Sequence, residues 1–256
     1  MDSASKDSEK VRGIPWRSLN PNETDHRRRY TEPVTPVRWI GFAVGGFVWG
    51  RALVFQIHRS SWGRGAGSAA VPPSDWIVAA LGPALFIGAG IALGGGWRAV
   101  LAAPFLLLAV EASVIDLRER RIPNALVYPG FLLFAAAVAI MWASGVEVSL
   151  PRAAVGFLAY GGGLFLLASL WPGGMGMGDV KLAALTGLVL GALGWAYIAV
   201  AVAVAILTAG LGAVGVLLAT RKRKSTIPFG PFLTVGAIVS GFWAHSIASW
   251  YLRSLS

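Results

Sequence analysis

The chain has 256 residues, is 55% hydrophobic and 13% charged, and carries a formal net charge of +10. A soluble domain carries about 25% charged residues, so the long apolar runs read as membrane spans rather than as an oversized core. There is no cysteine, which excludes disulfides, thiol catalysis and thiolate zinc sites.

Residues 1–36 are polar and end near the basic run His26-Arg27-Arg28-Arg29. They contain no apolar core of a cleaved signal peptide, and the expectation is a disordered tail. Residues 37–256 form the second unit, a membrane-embedded domain. Its apolar runs predict spans over about 38–57, 76–95, 97–115, 125–144, 153–171, 180–194, 196–220 and 228–251. No strand alternation persists, and helices satisfy their own backbone in lipid. The expected fold class is therefore all-α: a polytopic membrane helical bundle of about eight transmembrane helices.

Tryptophan supports these boundaries. Trp39, Trp76, Trp97, Trp142, Trp171, Trp195 and Trp250 fall near span ends, where indoles sit at headgroup level. Trp49 and Trp243 fall mid-span and read as apolar filler. Gly41/Gly45, Gly46/Gly50 and Gly187/Gly191 are four apart and permit close helix contact. Outside the tail, the basic residues cluster in short inter-span loops. That pattern sets membrane orientation and argues against nucleic acid as a partner.

From residue 33 onward the acids are Asp75, Glu111, Asp116, Glu119, Glu147 and Asp179. An acid at membrane depth reads by default as functional. Asp116 closes the run Ala112–Ile115 and precedes Arg118-Glu119-Arg120-Arg121-Ile122-Pro123-Asn124. It falls in or just beyond the last turn of a helix, and Asn124 suits the N-cap of the next span. Asp179 follows the glycine-rich stretch Gly173–Gly178 and suits an N-cap before Lys181-Leu182-Ala183-Ala184. One carboxyl thus faces the negative end of a helix dipole and the other the positive end. An unequal pair of this kind suits an aspartyl dyad, in which one carboxylate activates water and one acid protonates the scissile carbonyl. Taken alone, Asp116 also reads as a solvated loop charge and Asp179 as a simple cap.

Other chemistries lack support. There is no G-x-S-x-G and no phosphate-loop spacing. His26, His58 and His245 are scattered and form no two-histidine helical metal site. No metal or cofactor is expected, and His245 reads as a packing residue. Glu111 is either a proton-relay acid or a structural one. Lys181 opposes the dipole of the helix it opens, so it either meets substrate, a lipid phosphate or the aspartates, or snorkels to the interface.

At these motifs the chain resembles the type IV prepilin peptidases, polytopic aspartyl proteases. Their first motif, an Asp followed by a short polar stretch and I-P-N or I-P-D, is matched by Asp116 through Asn124. Their second, G-x-G-D-x-K, is matched by Gly176, Gly178, Asp179 and Lys181. The stretch Ile227-Pro228-Phe229-Gly230-Pro231-Phe232 looks like the family's lead into its last helix. Residues from Gly45-Gly46-Phe47 to His58-Arg59 are similar to its first span and basic loop. The resemblance implies Asp116 and Asp179 as the catalytic pair, without metal. It implies Gly176, Gly178, Lys181, Pro123 and Asn124 as substrate-binding or supporting residues. The implied reaction is cleavage of short basic leaders from prepilin or pseudopilin-like proteins of type IV pili and protein secretion, at the cytoplasmic face of the cell membrane. The bilayer is the other implied partner.

Many members carry a cysteine-rich domain after the first span and also methylate the new N-terminus. Here about 18 residues, 58–75, fill that place without cysteine, so the expected activity is cleavage without N-methylation. Neighbouring readings are a general intramembrane aspartyl protease, which shares G-x-G-D, and a proton-coupled transporter using the acids as relays. A relay wants its acids at mid-membrane, whereas a leader peptidase wants both near one face. The loops at 58–75, 116–124, 172–179 and 221–227 are expected on that shared face, with Arg98, Arg152 and Arg253 opposite; the same count puts the N-terminal tail opposite too, against the charge of Arg27, Arg28, Arg29 and Arg38.

Overall fold

A computed structural model describes residues 40–41, 44–46, 48–49, 73–170, 175–220 and 228–254. The expected tail, His58 and much of the 38–57 span lie outside these residues.

The described residues are helical, without strands. Helix α1 runs Pro73–Ala92, α2 Trp97–Glu119, α3 Asn124–Ala143, and α4 Leu150–Leu170. Helix α5 is Met177–Leu193, α6 Trp195–Thr220 and α7 Gly230–Ser254. Residues 40–41, 44–46 and 48–49 are also helical. Each helix lies within a few residues of an expected span. Tight turns separate them: Gly94 and Gly95 take positive φ (74° and 65°) after α1, and Gly145 (77°) follows α3. The helices α2, α3, α4, α6 and α7 are long and apolar enough to cross a bilayer. That is five of the eight expected spans.

The short run at 180–194 has a physical reason. Helix α5 is apolar all round and buried on nearly every face from Asp179 to Leu193, as befits a helix enclosed by protein. The sides of α6 differ: Ile206, Leu207, Leu211, Val214 and Leu218 are exposed, as a lipid-facing helix requires. Helix α2 supplies the rest of the centre with Leu101, Phe105, Leu106, Leu107 and Leu108 fully buried.

In lipid the helices gain little from hydrophobic association, so close packing and interhelical hydrogen bonds hold the bundle. Helix α4 crosses α5 with backbones in contact. A Cβ at Gly156 would strike the Gly187 carbonyl oxygen, and a Cβ at Gly187 the Gly156 carbonyl oxygen. At Gly191 it would stand 2.7 Å from the Arg152 carbonyl oxygen. The expected Gly187/Gly191 pair is therefore a packing stripe. Gly46 packs on Gly82 in the same way, while Gly41 has nothing within 4 Å. Gly50 lies outside the described residues.

Polar ties add to the packing. Arg152 Nε donates to the Gly191 carbonyl at 3.0 Å, tying the start of α4 to the end of α5. Thr234 Oγ1 donates to the Ala109 carbonyl at 2.8 Å and Ser240 Oγ to the Tyr197 carbonyl at 2.6 Å. Trp49, expected as filler, donates its indole N–H to the Pro104 carbonyl at 3.1 Å. Trp97 and Trp195 open α2 and α6, and Trp142 and Trp250 lie exposed near the ends of α3 and α7.

The α4–α5 crossing has a direct test. Gly156→Val or Gly187→Val should lower stability by about 1–3 kcal/mol through overpacking, read as a lower unfolding midpoint in detergent. Gly210→Ala, at a position with nothing within 4 Å, should leave the midpoint unchanged or raised. Equal midpoints for all three would show that the glycine contact does not hold the bundle.

Candidate active site

Asp116 lies where expected, in the last turn of α2. The helix ends at Glu119, and Arg120 turns left-handed (φ 54°) with its N–H on the Asp116 carbonyl at 2.8 Å. The carboxyl of Asp116 is buried, 3% exposed. Its Oδ2 accepts the Gly230 backbone N–H at 3.0 Å. Gly230 is the first residue of α7, where N–H groups have no intrahelical acceptor. A Cβ at 230 would stand 2.8 Å from Asp116 Oδ2, so this approach requires glycine.

Asp179 is not the N-cap. Gly176 holds that position and Asp179 is the third residue of α5. The reason is local: Asp179 Oδ2 reaches back to accept the Gly176 N–H at 3.3 Å, which lets the helix begin earlier. The side chain is 8% exposed, and its Oδ1 is buried with no hydrogen-bond partner among the described residues.

The structure brings these two carboxyls together. Asp116 and the Gly230 N–H that bonds it both lie near Asp179.

The two motifs also interlock. Ile122 is buried, and a Cβ at Gly178 would stand 3.0 Å from Ile122 Cβ and 3.2 Å from its nitrogen. Pro123 (φ −70°) occupies the N-cap position of α3, and Asn124 is the first helical residue rather than the cap. The Asn124 side chain reaches across to the next motif: its Oδ1 accepts from Lys181 Nζ at 2.8 Å. The same ammonium lies 4.8 Å from the Tyr128 ring centroid. Lys181 thus meets a neighbouring helix. The Arg121–Glu119 pair at 3.4 Å is exposed and adds little.

Other candidates stand apart. Glu111 is buried within α2, about a turn and a half inward of Asp116. His245 stands edge-on to Tyr197, with centroids 5.2 Å apart, on α7 about 22 Å along the helix from Gly230. Among the described residues no group of three or more His, Cys, Asp or Glu could hold a metal ion.

The backbone of Gly230 is the part of the candidate site that the sequence does not reveal. The stretch Ile227–Phe232 reads as a lead into the last helix, but an N–H donor leaves no side-chain signal. The one available cue is Gly-Pro at a helix start, since proline suits the first turn.

Comparison with known proteins bears on this arrangement. A family model described as type IV leader peptidase family matches residues 100–214. A prepilin leader peptidase/N-methyltransferase from Bacillus subtilis (strain 168) is 33% identical over 175 residues, covering 66% of this chain and 66% of that protein. One from Aeromonas hydrophila is 31% identical over 182 residues, covering 66% and 58%. One from Burkholderia pseudomallei (strain 1026b) is 37% identical over 163 residues, covering 60% and 50%. The chain thus spans somewhat under two thirds of the length of these relatives. No solved structure matches it significantly.

The shared end of the two aspartates predicts a labelling pattern. Arg118, Gly176 and Ser144 are exposed, and the chain has no native cysteine. In sealed vesicles an impermeant maleimide should react with Arg118→Cys and Gly176→Cys from one side, and with Ser144→Cys from the other. Labelling of 118 and 176 from opposite sides would eliminate a shared site.

Proposed function

The chain belongs to the type IV leader peptidase family, and from that premise we propose that it is an aspartyl endopeptidase that removes short basic leaders from prepilin-like proteins. The observation that supports this reading is the burial of the Asp116 and Asp179 carboxyls, from α2 and α5, near one another and beside the Gly230 N–H that Asp116 accepts. Two carboxyls in such proximity share a proton and titrate as a unit. The charged partner removes a proton from a water as its oxygen adds to the scissile carbonyl carbon. The protonated partner gives its proton to the carbonyl oxygen, forming a gem-diol. Collapse breaks the C–N bond as the leaving nitrogen takes up a proton. The Gly230 N–H orients the Asp116 carboxyl throughout.

The place of the acids favours hydrolysis over proton relay. Both lie within the first or last turn of their helices, at the end of the bundle where α3 and α7 begin. A relay through the membrane would draw on acids nearer the helix middles. Gly176, exposed beside Asp179, leaves backbone room for an extended substrate, while the side of Gly178 is taken by Ile122.

Orientation follows from charge. On the eight-span reading of the sequence, the loops expected on the side of the aspartates hold Arg59 and Arg64; Arg118, Arg120 and Arg121; and Arg221, Lys222, Arg223 and Lys224. The loops expected opposite hold Arg98 and Arg152, with Arg253 after the last span, and the tail bases Arg27, Arg28, Arg29 and Arg38 run against this bias. The positive-inside rule then turns the site to the cytoplasm, in the cell membrane, with the 221–227 loop inside and the end of α7 outside. The named relatives are peptidase/N-methyltransferases; for this chain, with its cysteine-free 58–75 segment, we propose cleavage without methylation.

Two results are expected. In membranes containing a leader-bearing prepilin, Asp116→Asn and Asp179→Asn should each lower cleavage by at least about a hundredfold, since amides cannot transfer the proton. Near-wild-type cleavage by either properly inserted variant would sink the dyad. Mass spectrometry of the mature substrate, made in a host lacking other such enzymes, should show an unmodified N-terminus. A mass increment of one methyl group would refute cleavage without methylation.

A further inference from the structure

Lys181 is a cation near the start of α5, where the helix dipole disfavours it. It does not point its ammonium into water alone. Its Nζ donates to Asn124 Oδ1 at 2.8 Å and lies 4.8 Å from the Tyr128 ring centroid. Asn124 and Tyr128 are four apart on α3, so they share one face and grip the ammonium together. Asn124 is the first residue of α3, with Pro123 at the N-cap, so its side chain is available for this contact between helices.

That contact lies beside the carboxyls. Lys181 is two residues from Asp179, and Asn124 is joined to Asp116 through the short segment whose Ile122 packs on Gly178. Sliding α3 along α5 would break the ammonium contact and drag Ile122 across Gly178. The α2–α3 segment carrying Asp116 would move with it.

We propose that Lys181, Asn124 and Tyr128 form a latch that fixes the height of α3 against α5 and so sets the separation of the Asp116 and Asp179 carboxyls. The three are positioning residues; they act through the aspartates. The latch's effect on turnover rests on the peptidase reading, but its existence does not.

The experiment is a double-mutant cycle of wild type, Lys181→Met, Asn124→Ala and the double variant, measured for kcat, KM and unfolding midpoint in detergent. Each single variant should lower kcat about tenfold, the size expected for a lost hydrogen bond to a charged group, with KM changed less than twofold. The double variant should be no worse than the poorer single one. Asn124→Asp, which keeps the acceptor, should recover most of the turnover that Asn124→Ala loses, and Tyr128→Phe more than Tyr128→Leu. Additive losses in kcat, or a rise in KM with kcat unchanged, would overturn the latch and make Lys181 a substrate contact. A lowered midpoint with unchanged kcat would reduce it to scaffold. If the wild type cleaves no leader-bearing substrate, the peptidase reading falls while the midpoint cycle still decides the latch: coupling upholds the contact, and additivity overturns it.

Discussion

Burying two carboxyls against one another in an apolar bundle is unfavourable unless donors reach them. The Gly230 N–H reaches Asp116 at 3.0 Å. The Gly176 N–H reaches Asp179 from the other side at 3.3 Å. Both donors are available because they stand where helices begin, with no acceptor inside the helix. The arrangement therefore depends on two helix starts, α5 and α7, converging on the end of a third, α2. Everything else in the described fold serves that convergence.

The means are mostly small residues and single hydrogen bonds. Gly156 and Gly187 let α4 lie against α5, while Arg152 ties their far ends. Thr234, one turn beyond Gly230, bonds the Ala109 carbonyl of α2, so α7 is pinned to α2 at two levels beside the carboxyls. Ser240 holds α7 to α6 further along. In lipid each such tie is worth about 0.6 kcal/mol on average. None suffices alone, and their placement on successive turns is what keeps the helices in register.

Much of this architecture is legible in the sequence because lipid enforces helix and length together. Apolar runs therefore locate α2, α3, α4, α6 and α7 within a few residues. Asp116 and Asp179 stand out because acids are so sparse in the apolar part of the chain. Three features are hidden for physical reasons. The partnership of Gly230 with Asp116 spans 114 positions and uses a backbone atom. The engagement of Asn124 by Lys181 joins residues 57 positions apart, and Pro123 holds the cap position expected of Asn124. Asp179 moves from cap to third residue because glycine at 176 supplies no side chain to cap with, and the aspartate reaches back instead.

The distribution of the site over helices also bears on when it can exist. Asp116 comes with α2, the Ile122 contact and the Asn124 acceptor with the start of α3, Asp179 with α5, and the Gly230 N–H with α7. Helix α7 follows the others in the chain. Until it packs against α2, Asp116 Oδ2 lacks its donor and two carboxyls crowd without compensation. An incompletely packed bundle therefore favours carboxyls held apart rather than paired. Pairing of the two carboxyls is thereby coupled to packing of the last helix.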